Sequence, residues 1–254
     1  MYISLDFAGY SFRLSLDSSV WIDLITKKYR NFVTDKAPDF MINIQTSGKK
    51  NRRFAVHYIS KNECALVMPD PLESFRQFNF LCKTIFASFL LNHDGVILHA
   101  SSIAYKGKAI LFAGKEGSGK STIVKLVPEY PILNDDFAII RKIENAYYLF
   151  SSPFYETNPF PKKKKIILID RIYLLKQSST CASVAINQDE ALIQIMPLTL
   201  TPLSFIPSTW KGFPKSYSIK IGKRMFEAAR DLSTSIPCFM LKFRKDRSFI
   251  QYLS

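Results

Sequence analysis

Between residues 1 and 68 apolar and polar positions alternate in short runs: Phe12-Arg13-Leu14-Ser15-Leu16, Met41-Ile42-Asn43-Ile44 and Phe54-Ala55-Val56-His57-Tyr58-Ile59. A period of two puts successive side chains on opposite faces, so these runs predict antiparallel strands with one solvated side. The stretch 20–29 predicts one short helix. Residues 1–68 are expected to form a small α+β unit without recognisable chemistry. Pro69-Asp70-Pro71 then marks a boundary, with Asp70 placed to cap a helix and Pro71 in its first turn. Phe75, Phe78, Cys82, Ile85, Phe86 and Phe89 follow at helical spacing. Such a stripe is how a helix buries itself, and it predicts core packing rather than a cofactor surface, ending near residues 92–95.

From Gly95 the pattern changes to that of an α/β domain, expected over 69–254. Residues 96–101 read as a strand ending around His99. Ala109-Ile110-Leu111-Phe112-Ala113 is apolar on both faces, as in a buried sheet. Residues 121–127 predict a helix, and Pro131-Ile132-Leu133 leads a short strand into Asn134-Asp135-Asp136. Strands are expected at 147–150 and 166–175, helices at 189–195 and 226–233. Residues 238–243 and 249–253 are expected to pair as a terminal hairpin around Lys245-Asp246.

Composition narrows this picture little. Hydrophobic residues are 47% of the 254, enough for a sizeable core, and charged residues are 22%. No apolar run approaches the roughly 20 residues of a membrane-spanning helix. The first residues lack a basic segment followed by an apolar one, so a signal peptide is not expected. Four cysteines lie far apart without a CxxC pair. Reduced thiols and a cytoplasmic location are the expectation. The formal net charge of +14 suits nucleic acid, anionic membrane or an acidic substrate equally, and also a lysine-rich composition with no partner behind it. No aromatic-basic RNA-binding signature accompanies it. HExxH and GxSxG are absent as well.

The chemistry gathers between residues 99 and 136. Gly114-Lys115-Glu116-Gly117-Ser118-Gly119-Lys120-Ser121 fits GxxxxGK[ST] at each fixed position, between a predicted strand and a predicted helix. In such a P-loop, glycines let successive backbone N–H groups turn inward as an anion nest, and the next helix adds its positive end. Lys120, expected to be exposed, would reach the β- and γ-phosphates of ATP. The Ser121 hydroxyl would ligate Mg²⁺, with Thr122 adding a polar contact. Asp135 and Asp136 close a strand where open α/β sheets bind ligands, and phosphoryl transfer needs one carboxylate as base and one for the metal. Taken alone, Asn-Asp-Asp is equally good turn chemistry.

The order His99, P-loop, Asp135-Asp136 resembles the catalytic domain of HPr kinase/phosphorylase, over about residues 90–160. The resemblance implies a P-loop fold related to phosphoenolpyruvate carboxykinase. It also implies Asp135 as catalytic carboxylate, Asp136 as its metal-linked partner and His99 near the transferred phosphate. The family's His-Gly is His99-Ala100 here, and its Lys-Ser-Glu is Lys120-Ser121-Thr122. Ser151-Ser152-Pro153-Phe154-Tyr155-Glu156 stands where HPr kinases carry the segment that handles their protein partner. That pattern is more similar to the shorter HPr-kinase-like proteins, some of which accompany peptide-tailoring gene clusters. The expected function is therefore transfer of the ATP γ-phosphoryl group to a hydroxyl, a serine on a peptide, protein or small molecule, with an acidic acceptor favoured by charge. Glu156 is a candidate metal or substrate ligand and equally an exposed loop carboxylate. Lys162–Lys165 would steer an acidic substrate or simply be solvated. A P-loop ATPase or GTPase and a nucleotide-dependent nucleic-acid-binding module are the alternatives. An oligomer is compatible with all three.

Overall fold

The computed structural model describes residues 1–47, 55–154, 165–200 and 215–253, with 215–218 by backbone alone. Glu156 and Lys162, Lys163 and Lys164 lie outside the described residues. The molecule is mixed α/β with two sheets and few helices. It divides into two compact units, Met1–Lys83 and Thr84–Ser254. The division falls inside a helix, whereas the sequence places a boundary ahead of it at residue 69.

The first unit holds β1 (Tyr2–Phe7), β2 (Tyr10–Leu16), α1 (Ser19–Tyr29), β3 (Phe40–Thr46), β4 (Ala55–Ser60) and β5 (Glu63–Met68). Its sheet runs β1-β2-β3-β5-β4. The antiparallel arrangement expected throughout holds for β1–β2 and β4–β5, but β2–β3 and β3–β5 are parallel. The reason is the connection: α1 carries the chain back after β2, so β3 starts at the same end of the sheet. Ser18 caps α1 by accepting a hydrogen bond from Val20 N. Trp21, Ile25 and Tyr29 bury one face of that helix. Helix α2 (Pro71–Leu91) begins as predicted, with Asp70 Oδ1 accepting from Leu72 N at 2.9 Å. Its apolar stripe is core: Phe78, Cys82, Ile85, Phe86 and Phe89 are all buried.

The second unit begins with β6 (Gly95–Leu98), β7 (Ala100–Tyr105), β8 (Lys108–Ala113), α3 (Lys120–Lys125) and β9 (Ile132–Asn134). There follow β10 (Ala138–Ile143), β11 (Ala146–Phe150), β12 (Ile166–Gln177), β13 (Ala182–Ala185), α4 (Gln188–Ile195), β14 (Thr199–Leu200), α5 (Lys215–Ser235) and β15 (Cys238–Phe243). The described strands form one sheet along β14-β6-β10-β11-β12-β8-β7-β9, with β15 beside β12 and β13 beside β15. Strand β12 joins its parts. Residues 166–168 pair antiparallel with β11; from Ile169, through a bulge at 169–171, the strand runs parallel to β8, and from Ile172 it is also parallel to β15. Three parallel strands therefore point to the same end of the sheet, β8 stopping at Ala113 opposite Leu174 while β12 and β15 run on to Gln177 and Phe243. Buried apolar side chains cover both faces of β8: Ala109, Leu111 and Ala113 on one, Ile110 and Phe112 on the other.

Two expectations fail here. The strand expected at 96–101 is two strands, broken at His99, because β6 pairs with β10 while β7 turns to pair with β8 and β9. The terminal hairpin does not form. Residues 247–252 make a 3-10 helix capped by Asp246, whose Oδ1 accepts from Ser248 N at 2.9 Å. Strand β15 takes β12 and β13 as partners instead, and Phe249 enters the core beside Phe112 and Phe243.

Candidate functional site

The connection from β8 to α3 is a tightly constrained turn. Ala113 is the last buried strand residue, and Gly114 follows with no room for a side chain: a Cβ there would lie 2.4 Å from Ser118 Oγ. Gly117 and Gly119 have φ of +76° and +100°, the left-handed region that side chains avoid. A Cβ on Gly119 would also stand 2.5 Å from the ring of Phe243. Ser118 N donates to Lys115 O at 3.1 Å, which folds the loop back, and Ile123 N donates to Gly119 O at 2.9 Å to start α3. Gln177, at the end of β12, anchors the crest by donating from Nε2 to Gly117 O at 2.7 Å. The Ser118 hydroxyl is buried and bonded to nothing among the described residues. A cradle that a single Cβ would fill, with an orphaned hydroxyl inside it, fits a small anion such as a phosphate group.

Lys120, expected to be exposed, is 5% exposed. Its ammonium folds back under the loop and donates to Gly114 O at 3.0 Å and Lys115 O at 3.1 Å. Burial holds its pKa below the ordinary lysine value, and Asp136, Asp135 and Glu116 pull partly the other way. Lys120 Nζ also stands 3.8 Å from Asp136 Oδ1, and His99 Nε2 stands 3.3 Å from the same oxygen. The His99 hydrogen bond holds the Asp136 carboxyl below its usual range, with the Lys120 charge assisting against partial burial. Asp136 is thus an anion at neutral pH with two cationic or N–H neighbours.

The backbone explains why these groups meet. His99 occupies the break between β6 and β7, its own N–H donating to Leu198 O at 2.8 Å and its carbonyl accepting from Gly114 N at 3.4 Å. Strand β9 lies on the far side of β7 and delivers Asp135-Asp136 to the same end of the sheet. Ser101 on β7 grips the corner: its Oγ donates to Asp135 O at 2.5 Å and lies 3.4 Å from Asp135 Oδ1. Ser102 Oγ donates to Asn134 Oδ1 at 2.5 Å, while Asn134 Nδ2 is buried and unbonded among the described residues.

The fold therefore brings together His99, Gly114, Lys115, Lys120, Asp135 and Asp136. Glu116 and Gly117 are exposed on the outside of the loop, and Ser121 and Thr122 sit half-buried in the first turn of α3. Among the described residues no three His, Cys, Asp or Glu side chains stand together as a metal cluster. Any metal here would draw on a hydroxyl and a bound phosphate as well as on one carboxylate. Sequence reasoning missed four participants. Ser101 and Ser102 were visible as a polar pair following His99 in an otherwise apolar strand. Gln177 and Phe243 carry no local signal, since they reach the loop through pairing of β12 with β8 and β15.

His57 and His93 lie elsewhere: His57 is exposed on β4, and His93 stacks on Phe89 with centroids 3.9 Å apart. No helix among the described residues is long and apolar enough to cross a membrane. No curated protein sequence matches the chain. Residues 64–253, most of the chain and all of the site, match the family described as SynChlorMet cassette protein ScmC, and the chain belongs to that family.

Proposed function

We propose that this protein is an ATP-dependent kinase of the HPr-kinase-like type, transferring the γ-phosphoryl group to a hydroxyl, with serine on a peptide or small molecule as acceptor. The observation that carries the reading is the convergence on one strand end of an anion-shaped loop, a buried lysine and an ion-paired aspartate. A turn that served only to join β8 to α3 has no use for a buried ammonium, which is costly to desolvate.

In this reading the loop 114–119 is a P-loop whose backbone N–H groups hold the phosphates. Lys120 exchanges its two carbonyl partners for phosphate oxygens and brings a positive charge to the group being transferred. That charge acts where little water screens it, so it counts for more than on a surface. The acceptor oxygen attacks the γ-phosphorus, the bond to the bridging oxygen of ADP breaks, and the acceptor proton passes to Asp135. Ser101 holds Asp135 at that corner, and His99 keeps Asp136 ionised and oriented. Magnesium, when bound, would neutralise charge on the phosphates, and the Ser121 hydroxyl and Asp136 carboxylate are the donors that suit it.

The test is incubation with labelled ATP, Mg²⁺ and a serine-containing acidic peptide, read by mass spectrometry. The acceptor should gain one phosphate. Asp135→Asn should lower the rate by about 10²–10⁴-fold while leaving nucleotide affinity nearly unchanged. Phosphate released only to water, or turnover driven by nucleic acid, would replace this reading with an ATPase or a nucleic-acid-dependent module.

A further inference from the structure

A second concavity of the same unit lies away from the loop. A cavity of about 280 Å³ opens between α5 and the ends of three strands, with Leu91, Gly95 and Val96 on its floor, the carboxylates Asp94, Glu227 and Asp231 and the cations Lys142, Arg224 and Arg230 around them, and Tyr147 and Ala228 completing the wall. The floor is apolar. Two of the three rim carboxylates face cations, and the third, Asp94, is exposed with no ion pair to a described residue. Asp231 Oδ2 accepts from Lys142 Nζ at 2.9 Å and from Tyr147 Oη at 2.5 Å. Glu227 lies 4.0 Å from Lys223. Arg224 and Arg230, both exposed, make no ion pair with any described residue.

The outer face of α5 continues the pattern. Ile219, Lys223, Phe226 and Arg230 fall at i, i+4, i+7 and i+11, one stripe along the helix. Ile219 is 73% exposed and Phe226 41%, with the Arg230 guanidinium over the Phe226 ring at 6.0 Å. Ile219 and Phe226, exposed beside Arg224 and Arg230, suit a partner of opposite charge that carries apolar groups of its own. The stripe is too narrow for a membrane surface. An interfacial helix buries a broad apolar face, and here two apolar side chains stand among charged ones. A single side chain of leucine or phenylalanine size matches the cavity better.

We propose that this cavity and the adjoining face of α5 dock an acidic peptide segment bearing one apolar anchor residue. The anchor enters between Val96 and Ala228, and the flanking carboxylates meet Arg224 and Arg230. Position favours this role. Strand β6 runs from the cavity at Gly95 to His99, four residues or about 13 Å in extended geometry. A bound peptide would thus reach the catalytic corner with only a few residues of extended chain. The proposal takes from the kinase reading only that the acceptor is a peptide, and its test uses no nucleotide.

The probe is a fluorescein-labelled twelve-residue peptide of Asp, Glu, Gly and Ser with one central Leu, titrated with the full chain at low salt and followed by polarisation. Binding should weaken about tenfold or more when Leu is replaced by Ser in the probe, and likewise in Arg224→Glu/Arg230→Glu protein. These two changes lie on the surface and should leave the circular dichroism spectrum unchanged. Lys120→Ala should bind the probe like wild type, which separates failure of docking from failure of phosphoryl transfer. Equal binding by the Glu variant, or equal binding of the Leu and Ser probes, overturns the proposal. Capture by phosphatidylserine-containing vesicles that depends on Arg224 and Arg230, without probe binding, overturns it in favour of a membrane surface.

Discussion

The unit formed by residues 1–83 and the β8–α3 corner of the second unit both bury polar groups, but they treat them differently. In the first, polar groups largely satisfy one another. Trp21 Nε1 donates to Thr46 Oγ1, which donates to Asp17 Oδ1 at 2.8 Å. Ser11 donates from its N–H to Asp39 Oδ2 and from its hydroxyl to Lys36 O. Asp6 accepts from Gly9 N and from Lys36 Nζ. Ser47 Oγ is the exception among the described residues. Burial pushes the Cys64 thiol up to about 12 and Cys82 higher than an ordinary thiol, so both are inert packing groups. At the β8–α3 corner, two glycines hold left-handed backbone, a lysine is buried against carbonyls, and the Ser118 hydroxyl and Asn134 Nδ2 go unbonded among the described residues. A fold accepts buried unmet polar groups where something else is to meet them, since each costs about 1–3 kcal/mol if nothing does. The first region meets its polar groups from within, and the second leaves two of them unmet, which is what the proposed binding of a phosphate group would use.

Substitutions should separate the two. Lys120→Ala, under the proposed reading, removes the charge that meets the transferred phosphate. Turnover should fall by about 10³-fold or more, with the thermal midpoint near that of wild type or above it, because a desolvated ammonium is lost. Normal turnover in a folded variant would take the loop out of the mechanism. Trp21→Ala should do the opposite. It empties the centre of the first unit, where Trp21 is fully buried and packs on Phe78 at 5.2 Å. A loss of about 3–5 kcal/mol in urea denaturation is expected.

Glycine substitutions offer a finer test. Gly119→Ala meets both a φ of +100° and the Phe243 ring, whereas Gly107→Ala, in the β7–β8 turn, meets a φ of +79° and open space. Both should lose about 1–2 kcal/mol from backbone strain. Only Gly119→Ala should also weaken nucleotide binding, measured by calorimetry. Equal nucleotide affinity in the two would mean that the loop's shape does not matter for binding.

The smallest effect concerns Asp136. Its carboxyl is held below the ordinary value of 3.8 by His99 first and by Lys120 after it. A carboxyl depressed in the folded state contributes stability that is present above its unfolded value and lost as pH falls through the lowered one. His99→Ala should therefore move the Asp136 titration upward, so that the contribution is lost at a higher pH than in wild type. Carbon-13 NMR of the carboxyl would detect this. An unchanged titration would show that His99 does not govern Asp136.

Much of this corner was legible from local pattern. The doubly apolar 109–113 run, the glycine spacing of 114–119 and the lysine after it need only their immediate neighbours to specify a strand, a left-handed turn and a helix start. Helix α2 was equally readable, because a 3.6-residue stripe and an Asp-Pro cap are local signals. Strand direction in the first unit was not readable, since alternation reports which face is buried and says nothing of which end of the sheet the chain re-enters. The terminal segment misled for a related reason: 249–253 is apolar enough for a strand, but Asp246 caps a 3-10 turn and Phe249 finds a cavity beside Phe112 that no local window contains.

The sequence by itself determined most of the elements and the residues each carries to the corner: a glycine-rich turn between strand and helix, a lysine, a histidine and two aspartates. Tertiary structure decided their relations. It buried Lys120 rather than exposing it, set Asp136 and not Asp135 between His99 and Lys120, and brought Ser101, Gln177 and Phe243 to the site. Local propensity acts through neighbours along the chain, whereas burial, pKa and orientation depend on strands that pair across long separations in sequence. Gln177 reaches Gly117 across sixty residues because β12 lies parallel to β8, and only the closed sheet makes that so.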